Sequence, residues 1–296
     1  MNYGFAPTAE SPWAPADDFA DQYDRYGLQL YGRVLAGTDV AGKDVLEVGC
    51  GRGSGAAYVA ATASPRTMTG LDLSRRGIEW CRNRHSIAGL SFVVGDAEDL
   101  PFEDGRFDTV LNVESSHNYP HMDLFLREAH RVLRPGGRLL FADIRLAVEI
   151  DPLRDQVAAA GFDVLEDELI TANVVRALEL DAARRQHLVA TETPRWLRPA
   201  MSDFIGVPGS AVPAMLSSGT FQYLRLLAQR PEGACPLPAG GHEIQCHCAG
   251  PRPPAQVGNV QLAVRDGRTG RVPLSFHHLA GRLALPPAGR HCGRPA

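Results

Sequence analysis

A cluster of glycines near position 50 could bring a ligand close to the backbone. Gly49, Gly51 and Gly53 directly follow the apolar run 45–48 and precede a stretch of small residues. Glycines at this spacing permit positive φ and a tight turn from a strand into a helix, whose N-terminus suits a polar ligand. Glu47, inside the strand, would face a diphosphate unfavourably, but its carboxylate suits a ligand with ammonium and sulfonium charges. The loop therefore favours S-adenosylmethionine over a nicotinamide dinucleotide.

Two further acidic strand ends complete the expected cofactor site. Asp72 ends the apolar run 68–71 and can accept hydrogen bonds from both hydroxyls of a ribose, although it could instead be the N-cap of a helix. Asp96 follows the next run and could accept from an adenine amino group, while Ala97 supplies a backbone N–H and Leu73 packs on the ring. The alternative for Asp96 is an ordinary acidic loop. Three such features in order at strand ends predict one cofactor site.

The segment after the fourth apolar run, 109–113, carries the candidate catalytic residues. His117 is the predicted general base, because an imidazole titrates near neutral pH and can take the proton of a hydroxyl group. It could also only hydrogen-bond the backbone or pack against the cofactor. Glu114 could balance the sulfonium charge, orient His117 or pair with an arginine. His121 is the alternate base, or a capping or solvent-facing residue at the start of a helix.

Two more polar residues belong to the expected acceptor site. Tyr119 could line the acceptor pocket, steady the methionine carboxylate or simply pack. Asp143, after the run 138–142, could face the acceptor or be an ordinary polar residue at a strand end. Methyl transfer from a sulfonium is an in-line displacement, so alignment of the acceptor carries much of the catalysis.

Apolar runs and helical stretches alternate over most of the chain. This order predicts an α/β fold, with a mostly parallel sheet and helices on both of its faces. Ligands of such sheets bind at the carboxyl ends of the strands. The predicted elements are a lead-in helix over 23–34, strands at 45–48, 68–71, 90–94, 109–113, 138–142, 162–165 and 219–228, helices at 122–133 and 153–160, and a turn at 134–137.

Residues 22–232 are predicted to form the folded domain. Residues 1–21 lack a helical or strand period and predict a flexible arm. Residues 171–217, helical by composition in their first half, predict a cap insertion over the ligand mouth. Residues 233–296 form a Pro/Gly-rich tail whose composition is typical of disorder, and a G+C-rich gene read out of frame is one explanation for it.

Charge and composition exclude several functions. The net charge of −4 gives no electrostatic reason to expect a nucleic-acid partner. No apolar stretch approaches the roughly 20 residues of a membrane span, and no secretory signal is present, so we expect a cytoplasmic protein without a membrane partner. The six cysteines are expected to be thiols, and neither they nor the carboxylates show the spacing of a metal site. A homodimer is left open.

The order of these motifs resembles the class I S-adenosylmethionine-dependent methyltransferases. The motifs are DVLEVGCGRGSG, GLDLS, GDAEDLPF, FDTVLNVESSHNYPH and LRPGGRLLFADI. They resemble most the phthiotriol and phenolphthiotriol dimycocerosate methyltransferases and related actinobacterial polyketide O-methyltransferases. The similarity is close over residues 42–145 and returns at 203–209.

This resemblance implies a fold and an activity. The fold would be a Rossmann-like, seven-stranded, mostly parallel sheet with a helical cap insertion before the last strand. The activity would be methylation of a small-molecule acceptor, a hydroxyl of a polyketide-like or lipid-like specialised metabolite, with N- or C-methylation left open. A nicotinamide-dependent oxidoreductase is disfavoured, because no Tyr-x-x-x-Lys pair exists and Lys43, the only lysine, precedes the glycine loop. A non-catalytic binding module is a third alternative.

Overall fold

The computed structural model describes residues 2–11 and 24–233. Residues 12–21 of the predicted arm and residues 234–296 of the predicted tail lie outside this part of the chain. Within it, Tyr3 and Phe5 are buried, at 9% and 0% exposure, and belong to the main hydrophobic core. The prediction of a flexible arm is therefore wrong for these residues, because two aromatic side chains bury enough apolar surface to order the backbone around them.

A seven-stranded sheet organises the described residues. Its order is β3-β2-β1-β4-β5-β7-β6. The pairs from β3 to β5 are parallel, and β7 runs antiparallel to both β5 and β6. The strands are β1 (Asp44–Val48), β2 (Thr67–Asp72), β3 (Leu90–Val94), β4 (Phe107–Val113), β5 (Leu133–Leu146), β6 (Asp163–Leu169) and β7 (Phe221–Gln229).

Helices connect the strands and cover the sheet. Four helices, α6 to α9, lie between β6 and β7, where the sequence predicted an insertion. Among the described residues no helix is long and apolar enough to span a membrane. The helices are α1 (Arg25–Leu35), α2 (Ser54–Thr62), α3 (Arg75–Arg84), α4 (Met122–Val132), α5 (Ile150–Ala159), α6 (Thr171–Leu180), α7 (Ala182–Glu192), α8 (Arg198–Ile205) and α9 (Ala211–Ser217).

Strand β1 is buried on both faces and divides the core. Val45 packs in the cluster that contains Tyr31 of α1, whereas Leu46 and Val48 pack in the cluster on the other face. Because side chains alternate along a strand, Glu47 shares the face of Val45 and points toward α1. This alternation places a carboxylate inside an apolar layer.

Strand β5 departs from the prediction at its start. The residues 134–137 that were predicted as a turn belong to the strand itself, which begins at Leu133. The register of β5 against β4 shifts between Phe107 and Thr109, so the extra residues form a bulge rather than a turn. Two backbone hydrogen bonds of 2.8 Å hold this bulge in the sheet. The N–H of Gly136 donates to the carbonyl of Arg230, and the N–H of Arg230 donates to the carbonyl of Gly137.

Candidate active site

The glycine loop leaves β1 at the carboxyl edge of the sheet. Gly49, Gly51 and Gly53 all have positive φ, of 78°, 55° and 69°. The N–H of Gly49 donates to the carbonyl of Leu71 at 2.8 Å, which ties the loop to the end of β2. A Cβ added at Gly51 would meet no described heavy atom within 4 Å, so this side of the loop is open to a ligand.

Gly49 also brings the loop against the turn that follows β4. A Cβ at this position would lie 1.8 Å from the Oγ of Ser115 and 2.9 Å from the phenolic oxygen of Tyr119, so only glycine fits. The Ser115 and Tyr119 hydroxyls are 2.8 Å apart, and Asn112 Nδ2 donates to Tyr119 at 3.0 Å. Burial raises the pKa of Tyr119, whose phenol therefore stays neutral. Tyr119 joins the glycine loop to the segment that carries the candidate base.

Asp72 lies at the end of β2 and holds the glycine loop. Its Oδ2 accepts the N–H of Gly51 at 2.8 Å, and its Oδ1 accepts the N–H of Ser74 at 2.9 Å. The N-cap of α3 is Ser74, whose Oγ accepts from Gly77 N–H at 3.1 Å, so the alternative interpretation of Asp72 as that N-cap is wrong. Each carboxylate oxygen has a further lone pair, which leaves Asp72 able to accept from a ribose.

The three residues predicted to hold an adenine ring lie beyond Asp72. Leu73 is 73% exposed and accessible to a planar ring, while Ala97 is buried. Asp96 is exposed, and its Oδ1 accepts the N–H of Glu98 at 2.9 Å. Because β2 and β3 are parallel neighbours, these residues emerge at the same edge of the sheet as Asp72.

Glu47 is wholly buried, and one of its oxygens lacks a hydrogen-bond donor. The hydroxyl of Tyr31 donates to Oε1 at 2.5 Å, whereas Oε2 has no partner among the described residues. Burial raises the pKa of Glu47 to about 7, although the Tyr31 hydrogen bond opposes this shift. An unsatisfied buried acceptor is costly, and a cationic ligand group beside it would remove that cost.

These groups fit S-adenosylmethionine. The carboxylate of Asp72 matches ribose hydroxyls, and the unsatisfied oxygen of Glu47 matches the cationic methionine end of the molecule. The open side of Gly51 leaves room between them. All three residues lie at the carboxyl edge of parallel strands, where open α/β sheets bind their ligands.

His117 is hydrogen-bonded to a buried aspartate. It lies in a 3-10 helix, Ser116–Asn118, directly after β4. Its Nδ1 is 2.7 Å from Oδ1 of Asp143, which is fully buried on β5. The Oδ2 of Asp143 accepts from the Ser116 hydroxyl at 2.6 Å and lies 2.9 Å from the guanidinium of Arg145. Burial alone would raise the pKa of Asp143, but His117 and Arg145 outweigh it and hold this pKa well below its usual range.

The surroundings of His117 set its tautomer and its pKa. Burial lowers the pKa of His117, but the attraction of Asp143 and Glu114 outweighs burial and raises it above its ordinary value. When Nδ1–H donates to Asp143, the lone pair of the neutral ring lies on Nε2, which is the tautomer a general base needs. In this tautomer Nε2 accepts a hydrogen bond from Nδ2 of Asn118 at 2.9 Å, which the hydroxyl of an acceptor must replace. The side chain of His117 is 21% exposed, so an acceptor can reach the ring.

Glu114 follows β4 directly and has a left-handed backbone conformation, with φ of 50°. Its Oε2 accepts the backbone N–H of Tyr3 at 2.9 Å, and its Oε1 has no partner among the described residues. Burial raises the pKa of Glu114 to about 8. Asp143, and not Glu114, orients the ring of His117 by a direct hydrogen bond, so this part of the prediction for Glu114 is wrong. A role in balancing the sulfonium charge stays a prediction.

His121 lies at the surface, with 63% of its side chain exposed. Its Nδ1 is 2.9 Å from Oε2 of Glu98, and its backbone N–H donates to Oε1 of the same residue at 2.7 Å. It occupies the N-cap position of α4 without a side-chain capping bond. Its role as an alternate base stays a prediction.

Sequence reasoning missed two contacts of the site. It named Asp143 as a strand-end residue but not as the partner of His117, although parallel pairing of Val113 with Ala142 sets their following residues side by side. It also gave no role to Tyr31, which donates to Glu47 from α1. No sequence signal links these two residues, because the contact depends on how α1 packs on the sheet.

The described residues contain no group of three or more His, Cys, Asp or Glu side chains that could hold a metal ion. Two of the cysteines expected to be thiols, Cys50 and Cys81, are free and buried. The remaining four cysteines lie outside the described residues.

Comparison with known proteins identifies relatives of this chain. Residues 46–141 match a family model described as a methyltransferase domain. The fatty-acid O-methyltransferase of Mycolicibacterium smegmatis is 48% identical over 198 residues, covering 67% of this chain and 72% of that protein. The phthiotriol/phenolphthiotriol dimycocerosates methyltransferase of Mycobacterium tuberculosis is 44% identical over 204 residues, covering 69% of this chain and 76% of that protein.

Solved structures share the fold. Geranyl diphosphate C-methyltransferase from Streptomyces coelicolor, solved with S-adenosyl-L-homocysteine, superposes with a TM-score of 0.58 at 17% identity, covering 78% of this chain and 91% of that one. The [4+2]-cyclase SpnF gives a TM-score of 0.58 at 23% identity, covering 79% and 88%. The predicted fold class and cofactor are thereby confirmed. With its close relatives, the chain belongs to the class I methyltransferases, enzymes that use S-adenosylmethionine as methyl donor.

Proposed function

We propose that this enzyme is an O-methyltransferase that methylates a hydroxyl group of a lipid-like or polyketide-like metabolite. Two relatives at 44% and 48% identity are named for acceptors with long apolar chains, a phthiotriol dimycocerosate and a fatty acid. The hydroxyl is the finer part of the proposal. A fatty acid offers a carboxylate, whereas a triol offers hydroxyl groups, and the two acceptors need different chemistry from the enzyme.

The pairing of His117 with Asp143 carries the proposal for a hydroxyl acceptor. A hydroxyl group must lose its proton as its oxygen attacks the methyl group, so a positioned base accelerates the reaction. A carboxylate is already ionised at neutral pH and needs no base. An imidazole held at 2.7 Å by a buried aspartate, on a side chain that is 21% exposed, is therefore expected for a hydroxyl acceptor.

The residues of the chain divide the remaining work. S-adenosylmethionine, when bound, supplies a methyl group on a positively charged sulfur. Asp72 would hold the ribose, and Glu47 would face the cationic end of the cofactor. His117 would take the proton of the acceptor on Nε2, and Asp143 would stabilise the imidazolium that forms. The contact between Gly49 and the Ser115–Tyr119 pair keeps the glycine loop and the base in fixed relation.

The fatty-acid acceptor is the second candidate, favoured by the relative at 48% identity. The two candidates make different predictions for His117. With a carboxylate acceptor, turnover should not depend on the imidazole as a base, so the His117→Ala variant should stay active. With an alcohol acceptor, the same substitution should lower kcat by about 10²- to 10⁴-fold.

The test uses the full chain with S-adenosylmethionine and two acceptors, a long-chain secondary alcohol and the fatty acid of the same chain length. Methylated product is measured by mass spectrometry for wild type, His117→Ala and the matched control His121→Ala. We expect methylation of the alcohol, its loss in His117→Ala and its retention in His121→Ala. Methylation of the fatty acid alone, with His117→Ala active, would overturn the hydroxyl acceptor. Loss in His121→Ala alone would move the base to that residue.

A further inference from the structure

The first residues of the chain lie against the candidate site rather than at the periphery. Besides the hydrogen bond from Tyr3 N–H to Glu114, the N–H of Phe5 donates to the carbonyl of Tyr26 at 3.0 Å. The phenol of Tyr3 has a raised pKa, from burial first and then from the negative charges of Glu114 and Asp143. Residues 2–6, which we call the N-terminal strap, thus pass beside the His117–Asp143 pair.

A buried arginine fixes the strap to the insertion. Arg185 of α7 is 1% exposed, and its guanidinium donates to the carbonyls of Asn2 and Tyr3 at 3.2 and 3.1 Å. The same group bonds Oδ2 of Asp181 at 2.8 Å and the carbonyl of Ile205 at the end of α8. One side chain therefore joins the strap to two helices of the insertion.

Two further contacts bind the strap to the insertion. The backbone N–H of Ala6 donates to the carbonyl of Asn173 at 3.2 Å, and Nδ2 of Asn173 donates back to the carbonyl of Ala6 at 2.9 Å. The Tyr3 hydroxyl donates to the carbonyl of Phe204 at 3.3 Å. The strap therefore spans from the end of β4 to helices α6, α7 and α8.

Glu114 joins the strap to the end of β4, and the backbone conformation of Glu114 is costly. A residue other than glycine with φ of 50° is strained, and such strain persists only where surrounding contacts impose it. The N–H of Glu114 donates to Ala142 O at 2.7 Å, while its carboxyl group receives the N–H of Tyr3. Without the strap, neither buried oxygen of Glu114 would have a donor among the described residues.

We propose that Glu114 and Arg185 are positioning residues that hold the N-terminal strap as a wall of the acceptor side of the site. The term acceptor side rests on the proposed function: Asp72 and Asp96 mark the cofactor side at the ends of β2 and β3, whereas the strap is bonded to Glu114 after β4 and to helices of the insertion. Glu114 acts here through a hydrogen bond that a neutral amide oxygen can also accept, and not through its charge.

Four substitutions separate this role from a catalytic one. Tyr3→Pro removes the N–H that Glu114 accepts and leaves Glu114 intact. Glu114→Ala removes the acceptor, whereas Glu114→Gln keeps an oxygen that can accept but removes the charge. Tyr3→Phe keeps the N–H and removes only the phenolic hydroxyl. The matched control is Glu128→Ala, because Glu128 likewise accepts a backbone N–H, from Leu100 at 2.8 Å, on another part of the molecule.

The first measurement is hydrogen exchange of the peptide that contains residues 2–6, by mass spectrometry on the full chain. We expect exchange to accelerate about tenfold in Glu114→Ala and Tyr3→Pro, and to stay near wild type in Glu114→Gln and Glu128→Ala. Arg185→Met should accelerate exchange as well. If it does not fold, the Tyr3 and Glu114 variants still test the proposal. Unchanged exchange in both Glu114→Ala and Tyr3→Pro would overturn it.

The second measurement is steady-state kinetics with the alcohol acceptor, alongside calorimetric binding of S-adenosylmethionine. Glu114→Ala and Tyr3→Pro should each raise the KM for the alcohol about tenfold, with cofactor affinity retained, and their combination should add little because they break one contact. A Glu114→Gln variant that keeps a protected strap but loses kcat would make the charge of Glu114 catalytic and overturn the positioning role. If no alcohol is turned over, the proposed function fails while the exchange result still decides the strap.

Discussion

Strand β1 carries two buried carboxylates with opposite surroundings, Asp44 at its amino end and Glu47 near its carboxyl end. Every oxygen of Asp44 is bonded, and the hydrogen bond from Arg66 is the first cause that holds its pKa well below its usual range. Glu47 receives a side-chain bond from Tyr31, leaves Oε2 without a hydrogen-bond partner among the described residues, and has its pKa raised to about 7 by burial. The donors to Asp44, at 2.5 to 2.9 Å, are Arg66, Thr67, Arg106 and Arg134.

This contrast separates a carboxylate with a structural role, Asp44, from a carboxyl group that is positioned to bind a ligand, Glu47. At the amino edge, Asp44 accepts hydrogen bonds from three arginines that link β1 to neighbouring segments, so both of its oxygens are already bonded without a ligand. At the carboxyl edge, burial of Glu47 with Oε2 unpaired among the described residues costs stability, and such a cost is retained where function needs it. The same strand thus carries one carboxylate whose oxygens are all bonded and one carboxyl group with an oxygen that has no partner among the described residues.

Asp143 is an exception to this contrast between the two edges of the sheet, because it lies at the carboxyl edge and both of its oxygens are bonded. We expect Asp143→Asn to lower kcat for an alcohol acceptor by about 10³-fold, since an amide can hold the wrong tautomer of His117 and cannot stabilise an imidazolium. The remaining activity should depend on pH differently. Asp143 raises the pKa of His117, so the rise of kcat with pH should move to lower pH in the variant. A pH profile of kcat from pH 5 to 9 measures both effects.

Asp44→Asn is the control for this prediction, because it removes a buried, fully bonded carboxylate at the other edge. Its kcat should match that of wild type at a temperature where both are folded. Equal losses in the two variants would mean that any damaged ion cluster lowers turnover, and the special role of Asp143 would then be lost.

Glu47→Gln should change how stability depends on pH. In the folded state the pKa of Glu47 is raised to about 7, so the folded protein holds a proton that the unfolded chain releases near pH 4.5. Stability in the wild type therefore falls as pH rises between these two values, by about 3 kcal/mol from this residue, and the variant lacks that fall. Urea unfolding at pH 5 and pH 8, without cofactor, measures the difference. Parallel changes in wild type and variant would contradict the raised pKa.

Asp44→Asn should have the opposite pH signature. Its lowered pKa means that the stabilisation is present above the ordinary pKa of an aspartate and is lost as pH falls through the folded-state value. At pH 7 we expect the variant to lose about 2 kcal/mol of unfolding free energy, since three arginines lose the buried carboxylate that they share. The difference between variant and wild type should narrow below about pH 4. A constant difference down to pH 3 would show that packing, and not the charge of Asp44, is responsible.

Sequence analysis placed the strand ends well because local patterns determine them. The glycine loop, Asp72 and the segment with His117 each follow an apolar run, and parallel strands bring such ends to one edge. The bonding of each side chain depends on packing between distant segments. Tyr31 reaches Glu47 only because α1 covers that face of β1, and no periodicity in the sequence specifies this contact.

The N-terminal segment shows why composition can mislead. Residues 1–21 are rich in Ala, Pro and Asp, which favoured a flexible arm, yet the position of Phe5 is fully buried. A backbone that is bonded to Arg185, Asn173 and Glu114 needs no helical or strand period of its own. The residues that bond this segment lie more than 100 positions away in the chain, so local sequence patterns could not predict the contacts.

The smallest expected effect concerns the affinity for S-adenosylmethionine. If Glu47 binds the cofactor as a carboxylate, cofactor affinity should rise about tenfold from pH 6 to pH 8, with half of Glu47 ionised near pH 7, because protons and the cationic ligand compete for one site. Glu47→Gln should bind about tenfold more weakly at pH 8 and lack the rise that depends on this residue, whereas Asp44→Asn should follow wild type. Calorimetric titrations at three pH values measure this. S-adenosylhomocysteine, which lacks the sulfonium charge, should bind with a smaller penalty in Glu47→Gln. If cofactor affinity changes with pH in the same way in wild type and Glu47→Gln, the unpaired Oε2 of Glu47 does not face the cofactor. This oxygen would then need another ligand.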